Sequence, residues 1–139
     1  MMKWADGKCR CSWANPKNEQ YIRYHDREWG KAVYDDHQLF EMLILECFQA
    51  GLSWECILNK RDAFCRAFDQ FDLDRVCAYD ESKIAILKQD SGIVRNERKI
   101  RAAICNARIF KDIQKEYQSF ARYLWHWTEN QARYVLVSV

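Results

Sequence analysis

The fold is decided by residues 35–50, which read DDHQLFEMLILECFQA. The stretch begins with an aspartate that can cap a helix, and it is followed by Gly51, a residue type that commonly ends one. Its apolar residues lie on nearly every face of a helix, which is typical of a buried helix. They are Leu39, Phe40, Met42, Leu43, Ile44, Leu45, Cys47 and Phe48. The stretch therefore predicts a central helix at residues 35–50.

Further helices are predicted on the C-terminal side of this segment. Ser53 can cap a second helix, and Asn96 can cap a long later one. Shorter helices are expected at about residues 73–78 and 81–89, and a final amphipathic helix over residues 120–127. The apolar stripes of the two longer helices have a period close to 3.6. They contain Trp54, Ile57, Leu58, Cys65 and Phe68, and Ile100, Ala103, Ile104, Ala107 and Phe110.

These patterns predict an all-α protein with a single domain at residues 1–131. No repeat, low-complexity stretch or strand alternation precedes the last eight residues. Residues 132–139 read ARYVLVSV, a β-branched and apolar run unlike the rest of the chain. This atypical tail is interpreted as a terminal strand, a buried tail or the product of a truncated or shifted reading frame.

The composition limits the class of protein. The 139 residues are 49% hydrophobic, with six Trp, one Pro and four Gly, which suits one helical domain with a substantial core. No apolar run approaches the roughly 20 residues that span a bilayer, and the polar start is not a signal peptide. Seven cysteines without a disulfide-scaffold spacing predict a reducing, cytoplasmic setting. The net charge of +2 favours no class of partner.

Two features suggest a binding pocket. Glu46 lies among apolar helix neighbours, so it is either a functional carboxylate or a buried acid satisfied by a helix terminus or an arginine. Tyr21, Tyr24, Trp29 and Trp54 could form the walls of a site for a flat, cationic base through stacking and cation–π attraction. The alternative for these four residues is a plain aromatic core.

The segment between two predicted helices, residues 92–100 (GIVRNERKI), suggests a phosphate site. A short turn that opens a helix at Asn96 presents free backbone N–H groups at a positive helix end. Arg95, Arg98, Lys99 and Arg101 add charge there. This is the arrangement of a helix-hairpin-helix that binds the DNA backbone without reading sequence. A solvated charged turn is the alternative.

Thiol and imidazole side chains near the N-terminus suggest a metal, but incompletely. Cys9, Cys11 and His25 are candidate zinc ligands, and only His37 and His126 could be added to them. A structural zinc site needs four ligands in a closed tetrahedron, and no CxxC or HxxxH pair is present.

Four motifs, taken together, resemble the DNA-3-methyladenine glycosylase I family. They are RCSW at residues 10–13, YIRYHDREWG at 21–30, LFEMLILECFQAGLSW at 39–54 and DSGIVRNERKI at 90–100, followed by Asn106 and Ala107. The resemblance is collinear and covers roughly residues 8–127. It implies a helix-hairpin-helix DNA glycosylase fold. It also implies an enzyme that acts on double-stranded DNA containing alkylated bases.

The resemblance also implies roles for individual residues. Glu46 would be the catalytic-site carboxylate that accepts hydrogen bonds from the adenine edge, with Tyr24 beside it. Trp54 would stack on the base, while Tyr21 and Trp29 would shape the pocket. No lysine nucleophile is expected, so the reaction implied is monofunctional hydrolysis of the N-glycosidic bond without strand cleavage.

The DNA contacts and the metal follow from the same resemblance. Leu52, after Gly51, would press into the gap left in the duplex, and the hairpin residues Arg95, Asn96 and Lys99 would bind the backbone. Cys11 and His25 match two of the family's four zinc ligands. They are the two metal residues expected here, and no organic cofactor is implied.

Family members continue beyond the end of this chain, which predicts that the C-terminal part of the family is missing. Three hypotheses follow: an active, monomeric glycosylase, an inactive truncated remnant that binds DNA or a partner without catalysis, or a marginally folded fragment. Loss of two zinc ligands would lower stability as well as activity.

Overall fold

A computed structural model of the chain describes residues 1–131. Within them, eight α-helices follow a two-stranded antiparallel hairpin in which Met2 pairs with Arg10 and Lys3 with Cys9. The strands are β1 (Met2–Lys3) and β2 (Cys9–Arg10), and the helices are α1 (Glu19–Arg27), α2 (Asp36–Phe48), α3 (Trp54–Asn59), α4 (Arg61–Ala67), α5 (Leu73–Cys77), α6 (Glu81–Gln89), α7 (Glu97–Tyr117) and α8 (Phe120–His126). The predicted all-α class is confirmed, and α6, residues 90–96 and α7 form the helix-hairpin-helix.

The observed elements differ from the predicted ones at three places. The two-stranded hairpin was not predicted, because strands of two residues are too short to show alternation. Helix α1 was not predicted, although Asn18 caps it by accepting a hydrogen bond from the Tyr21 N–H. The single helix expected after Ser53 is two helices, divided at Lys60, whose N–H bonds to the Ile57 carbonyl and closes the last turn of α3.

The predicted helix starts are confirmed by their caps. Asp35 accepts a hydrogen bond from the Gln38 N–H, and Asn96 accepts one from the Lys99 N–H. Ser53 caps α3 in the same way. Because a cap satisfies an N–H that lacks an intrahelical acceptor, each residue marks where its helix begins.

The core is rich in phenylalanine, and α2 runs through it as predicted. Helix α2 packs against α3, α7 and α8. The six phenylalanines that are less than 2% exposed are Phe40, Phe48, Phe64, Phe68, Phe71 and Phe110. One continuous apolar cluster joins them, so α2 and α3, two of the helices that carry the site, share one close-packed support.

A left-handed turn connects α4 to α5. Asp69, Gln70 and Phe71 have φ values of 51°, 57° and 55°, a conformation that non-glycine residues rarely adopt. Phe71 is buried, and the Asp69 carboxylate accepts a 2.5 Å hydrogen bond from the Tyr79 hydroxyl. Packing and this hydrogen bond hold the strained turn in place.

Helix α8 is attached to the start of α2 by one carboxylate. Asp36 accepts hydrogen bonds from the backbone N–H groups of Phe120 and Ala121 at 2.8 and 2.9 Å, and from Gln114 at 2.8 Å. Among the described residues, no helix is long and apolar enough to cross a membrane. The interpretation of residues 132–139 as an atypical tail lies outside the described residues.

Candidate functional site

The predicted pocket residues come together around a cavity of about 270 Å³. Its lining contains Trp13, Tyr21, Tyr24, Trp29, Glu46, Gln49 and Trp54. Aromatic rings thus form most of the wall, with one carboxylate and one amide as the polar groups. A concave apolar site with a few polar groups is the usual form of a small-ligand site.

Three helices position these side chains. Helix α1 carries Tyr21 and Tyr24 one turn apart, and Glu46 lies in the last turn of α2. Trp54 is the first residue of α3, directly after its Ser53 cap. The Trp29 N–H donates to the Tyr24 carbonyl at 2.9 Å, which fixes the chain as it leaves α1.

The rings meet at angles rather than in one parallel stack. Trp13 lies 5.2 Å from Tyr21 and 5.4 Å from Trp29, measured between ring centroids, and Tyr24 meets Trp54 edge-on at 5.5 Å. Trp13 and Trp29 are 38% and 54% exposed, respectively. The alternative of a plain aromatic core is therefore wrong for Trp29. Trp54 is half-buried and also packs against the core.

The Glu46 carboxylate is exposed and forms no hydrogen bond or ion pair with any residue of the described part of the chain. The alternative of a buried acid satisfied by an arginine or a helix terminus is therefore wrong. The reason is geometric: the last turn of α2 borders the cavity, so a side chain on this face is not enclosed by α3 or α7. The carboxylate is available to a ligand.

Charge and burial act on the neighbouring tyrosine. The pKa of Tyr24 is raised, chiefly because the residue is buried and then because the negative charges of Glu46 and Glu28 disfavour a phenolate. Tyr24 therefore keeps its hydroxyl proton and remains a hydrogen-bond donor at neutral pH.

The indole N–H of Trp54 is a second unused polar group. It is buried and donates no hydrogen bond of normal geometry to the described residues. The nearby indole lowers the pKa of Tyr24, but by less than burial raises it. Because buried donors are rarely left without an acceptor, an unsatisfied one at a cavity wall is consistent with a ligand site.

An ion-pair cluster behind the cavity joins α1, α2 and α4. Arg61 donates to Glu41 at 2.7 Å through Nε, and to Glu28 at 2.8 Å through Nη1. These residues line an adjoining cleft of about 710 Å³ that shares Tyr24, Trp29 and Glu46 with the cavity. Arg61 thereby fixes the end of α1 relative to α2. It thus also fixes Tyr24 and Trp29 relative to Glu46.

The turn after α2 presents an apolar side chain to solvent. Gly51 has a φ of +77°, a backbone conformation that favours glycine, and the Leu52 side chain is 40% exposed. The Leu52 N–H donates to the Gln49 carbonyl at 2.6 Å, which makes the turn tight. The structure thus places Leu52 beside the cavity residue Gln49.

The hairpin between α6 and α7 is anchored by close packing. A Cβ atom added to Gly92 would lie 2.9 Å from the Ala63 Cβ of α4, so only glycine fits without a shift. Ile93 is buried, and the Gly92 N–H donates to Asp90 at 2.8 Å. Arg95 is exposed and has no hydrogen-bond or ion-pair partner in the described residues, and Asn96 caps α7.

Not all of the predicted hairpin cations are free. Arg98 is exposed and unpaired among residues 1–131, like Arg95. Arg101 instead forms ion pairs with Glu81 and Glu97 at 2.7 and 2.9 Å. The Lys99 ammonium donates to two backbone carbonyls. The charge available to a phosphate is therefore concentrated at Arg95 and Arg98, and the phosphate contact of Lys99 stays a prediction.

Cys11 and His25 are adjacent, as the zinc prediction requires. The Cys11 backbone N–H lies 3.2 Å from His25 Nε2, and His25 Nδ1 lies 3.0 Å from an Asp26 carboxylate oxygen. Both ring nitrogens thus have hydrogen-bond partners. Within residues 1–131 no group of three or more candidate ligand side chains comes together. The two residues alone do not fit a closed four-ligand zinc site, and zinc binding stays a prediction.

Two cavity residues were missed as site residues from the sequence. Trp13 lines the cavity, and its ring lies 5.1 Å from that of His25. Gln49 is the C-cap of α2 and adds an amide next to Glu46. Both belong to the motifs that carried the family resemblance, so the signal that could have identified them was present.

Comparison with known proteins gives a consistent result. The family model described as methyladenine glycosylase matches residues 13–136. The chain is 41% identical over 122 residues to DNA-3-methyladenine glycosylase 1 of Escherichia coli (strain K12), covering 88% of this chain and 65% of that protein. Thus the chain spans about 65% of the length of this relative.

Solved structures show the same similarity. A crystal structure of a 3-methyladenine DNA glycosylase I superposes with a TM-score of 0.84 at 41% identity, over 88% of this chain and 67% of the other. A variant of a 3-methyladenine DNA glycosylase I, solved in complex with 3-methyladenine, gives a TM-score of 0.81 at 34% identity, over 83% of this chain and 62% of the other.

Proposed function

The chain belongs to the methyladenine glycosylase family, and from this premise we propose that it excises 3-methyladenine from alkylated DNA by hydrolysis of the N-glycosidic bond. The observation that carries the proposal is the unpaired carboxylate of Glu46 at the edge of an aromatic cavity of about 270 Å³. The relatives named for this activity support the choice of substrate.

The cavity suits the chemistry of this base. Methylation at N3 gives adenine a positive charge, which makes it a good leaving group that needs little protonation. Electron-rich faces of Tyr21, Trp29 and Trp54 favour a flat cation, and Glu46 accepts hydrogen bonds from the base edge. Neutral adenine gains less from the same walls and carboxylate, so the site selects the charged base.

The described residues that line the cavity include no lysine, which supports a hydrolytic, monofunctional reaction. Lys31 lines only the adjoining cleft. Stabilisation of the positively charged sugar is electrostatic, and the Glu46 carboxylate is the negative charge that the described lining of the cavity offers. Borohydride should therefore trap no covalent complex between the protein and an abasic strand.

The DNA interface of the proposal consists of two projecting elements. Leu52 is exposed beside the cavity and fills the space that a flipped nucleotide leaves in the duplex. The unpaired cations Arg95 and Arg98 and the N-terminus of α7 bind phosphates, which gives affinity without sequence reading. We extend the proposal to a duplex substrate, a monomeric enzyme and the cytoplasm; the free thiols of all seven cysteines are consistent with a reducing compartment.

The test is release of free base from methylated duplex DNA, separated by chromatography. Wild-type protein should release 3-methyladenine, and Glu46→Gln should slow release by about 100-fold, since it removes the charge but keeps the shape. Glu116→Gln is the matched control, because Glu116 is an exposed acid on α7 with no hydrogen-bond or ion-pair partner in the described residues. It should release base at the wild-type rate.

Absence of release by folded wild-type protein would contradict the proposal and favour the alternative of a remnant that binds DNA without catalysis. Such a remnant would bind methylated and plain duplexes equally. Equal release by wild type and Glu46→Gln would instead remove Glu46 from the mechanism while leaving the activity in place.

A further inference from the structure

The C-terminal end of α2 is stabilised by a cation from a distant part of the chain. The last carbonyls of a helix lack intrahelical partners and carry partial negative charge. Helix α2 has no basic residue in its own last turn. Lys99, about fifty residues later, donates from Nζ to the carbonyls of Phe48 and Ala50 at 3.0 and 2.6 Å.

The position of Lys99 joins two functional elements. It lies in the first turn of α7, where its own backbone N–H is held by the Asn96 cap. Its ammonium group holds Ala50, the residue before the tight turn at Gly51. One side chain therefore connects the hairpin to the turn that presents Leu52 and to the helix end that carries Gln49.

We propose that Lys99 is a positioning residue that holds the Leu52 turn and the cavity end of α2 in a fixed register with the DNA-binding hairpin. This inference rests on the proposed function. The hairpin binds the duplex backbone, while Leu52 and the cavity act on one nucleotide. Excision therefore requires a fixed spacing between the hairpin and the cavity. Lys99 provides a direct polar link between them.

The geometry distinguishes this role from a phosphate contact. An ammonium group has three N–H donors, and two of those of Lys99 are used by carbonyls. Lys99 is also half-buried, whereas Arg95 is exposed and unpaired among the described residues. Removal of a phosphate contact reduces the slope of log affinity against log salt by about 0.9. Removal of a positioning residue leaves that slope unchanged.

The experiment compares Lys99→Met with Arg95→Met, two substitutions that each remove one charge from the hairpin region. Lys99→Met should lower single-turnover excision at saturating enzyme by about 10- to 100-fold, since small misplacements of reacting groups cost that much. Its affinity for plain duplex should stay within twofold of wild type. Its slope of log affinity against log salt should stay within about 0.2 of the wild-type slope. Arg95→Met should instead weaken binding to plain duplex and reduce the salt slope by about 0.9.

Rescue and backbone exchange complete the test. Lys99→Arg, which keeps the charge and the donors, should restore excision to within about threefold of wild type. Amide hydrogen exchange over residues 49–53 should accelerate at least fivefold in Lys99→Met and not in Arg95→Met. If Lys99→Met fails to fold, Lys99→Gln replaces it, because it loses the charge and keeps one donor.

These readouts separate the inference from the proposed function. If wild-type protein releases no base, the proposed function fails, and hydrogen exchange and salt slope still decide the role of Lys99. A reduced salt slope in Lys99→Met with unchanged exchange over residues 49–53 would identify a phosphate contact and overturn the inference. Full saturated excision by the folded variant would overturn it as well.

Discussion

Replacement of Gly92 by alanine tests the packing that places the hairpin. The new Cβ would lie 2.9 Å from the Ala63 Cβ and 3.1 Å from an Asp90 carboxylate oxygen. Overpacking at a tight contact costs about 1–3 kcal/mol. Loss of glycine's freedom in the unfolded chain returns about 0.4–1 kcal/mol. The free energy of unfolding should therefore fall by about 1–2 kcal/mol.

The assay is urea denaturation followed by tryptophan fluorescence. With a slope near 2 kcal/mol per molar urea, typical of small domains, the midpoint should fall by about 0.5–1 M. Ala63→Gly alone should cost about 0.5–1 kcal/mol, since it places glycine in a helix. The double variant transfers the methyl group from one side of the contact to the other. It should be at least 1 kcal/mol more stable than the sum of the two single changes predicts.

The same pair of substitutions can be tested through binding to plain duplex DNA. Gly92→Ala should also weaken binding to plain duplex, because the hairpin must shift away from α4, and Ala63→Gly should restore that binding. The reasoning is refuted if the two changes add within about 0.3 kcal/mol, the value for independent sites. It is equally refuted if Gly92→Ala leaves the urea midpoint unchanged.

Three further predictions concern the support of the site. Asp36→Ala should lower the free energy of unfolding by about 2–4 kcal/mol, since it removes two hydrogen bonds at the start of α8 and one from Gln114 of α7. It should speed hydrogen exchange in α8 more than in α6, and equal acceleration in both helices would contradict it. The pKa of Asp69 is lowered, chiefly by the Tyr79 hydroxyl, so its contribution to stability is present above its ordinary pKa of about 3.9 and is lost as the pH falls through the folded-state value. Urea midpoints measured from pH 7 to pH 3 should therefore converge for wild type and Asp69→Asn, and a constant difference would count against the hydrogen bond. Burial raises the pKa of Cys65 to about 11, so iodoacetamide at pH 8 should alkylate it roughly 100-fold more slowly than the exposed Cys105, as mass spectrometry of peptides would report. Similar rates would show that Cys65 is accessible as a thiolate.

Local sequence patterns were sufficient for most of the helical framework. The apolar run at residues 35–50 predicted a central helix, and α2 occupies residues 36–48 within the core. Asn96 predicted the start of the longest helix, and its side chain caps α7. Caps and periodicity act within about four residues, so the chain itself contains the necessary information. Helix α1 was missed because it has only nine residues, most of them polar, and among them only Tyr24 is buried.

The candidate site was only partly accessible in this way. The motifs named the aromatic residues and Glu46, and the structure brings them to one cavity. The burial of Glu46 could not be decided from its apolar neighbours, because all of them are on its own helix. Whether another helix covers that face depends on how α1 and α3 pack, and neither does. That Trp13 and Gln49 line the cavity likewise depends on how these helices pack.

The sequence by itself determined where the helices begin, which faces are apolar, and which family the motifs resemble. Tertiary structure decided which partners far along the chain the charged side chains meet, whereas the Arg101–Glu97 pair lies within one helix at a spacing of four residues. Lys99 and Arg101 are two residues apart in one charged turn, yet one binds the carbonyls at the end of α2 and the other binds Glu81 and Glu97. The sequence shows the sign of a charged side chain but not which distant group it contacts. Its partner depends on which helix end or carboxylate the packed core brings within about 3 Å, a distance that hydrogen bonds require.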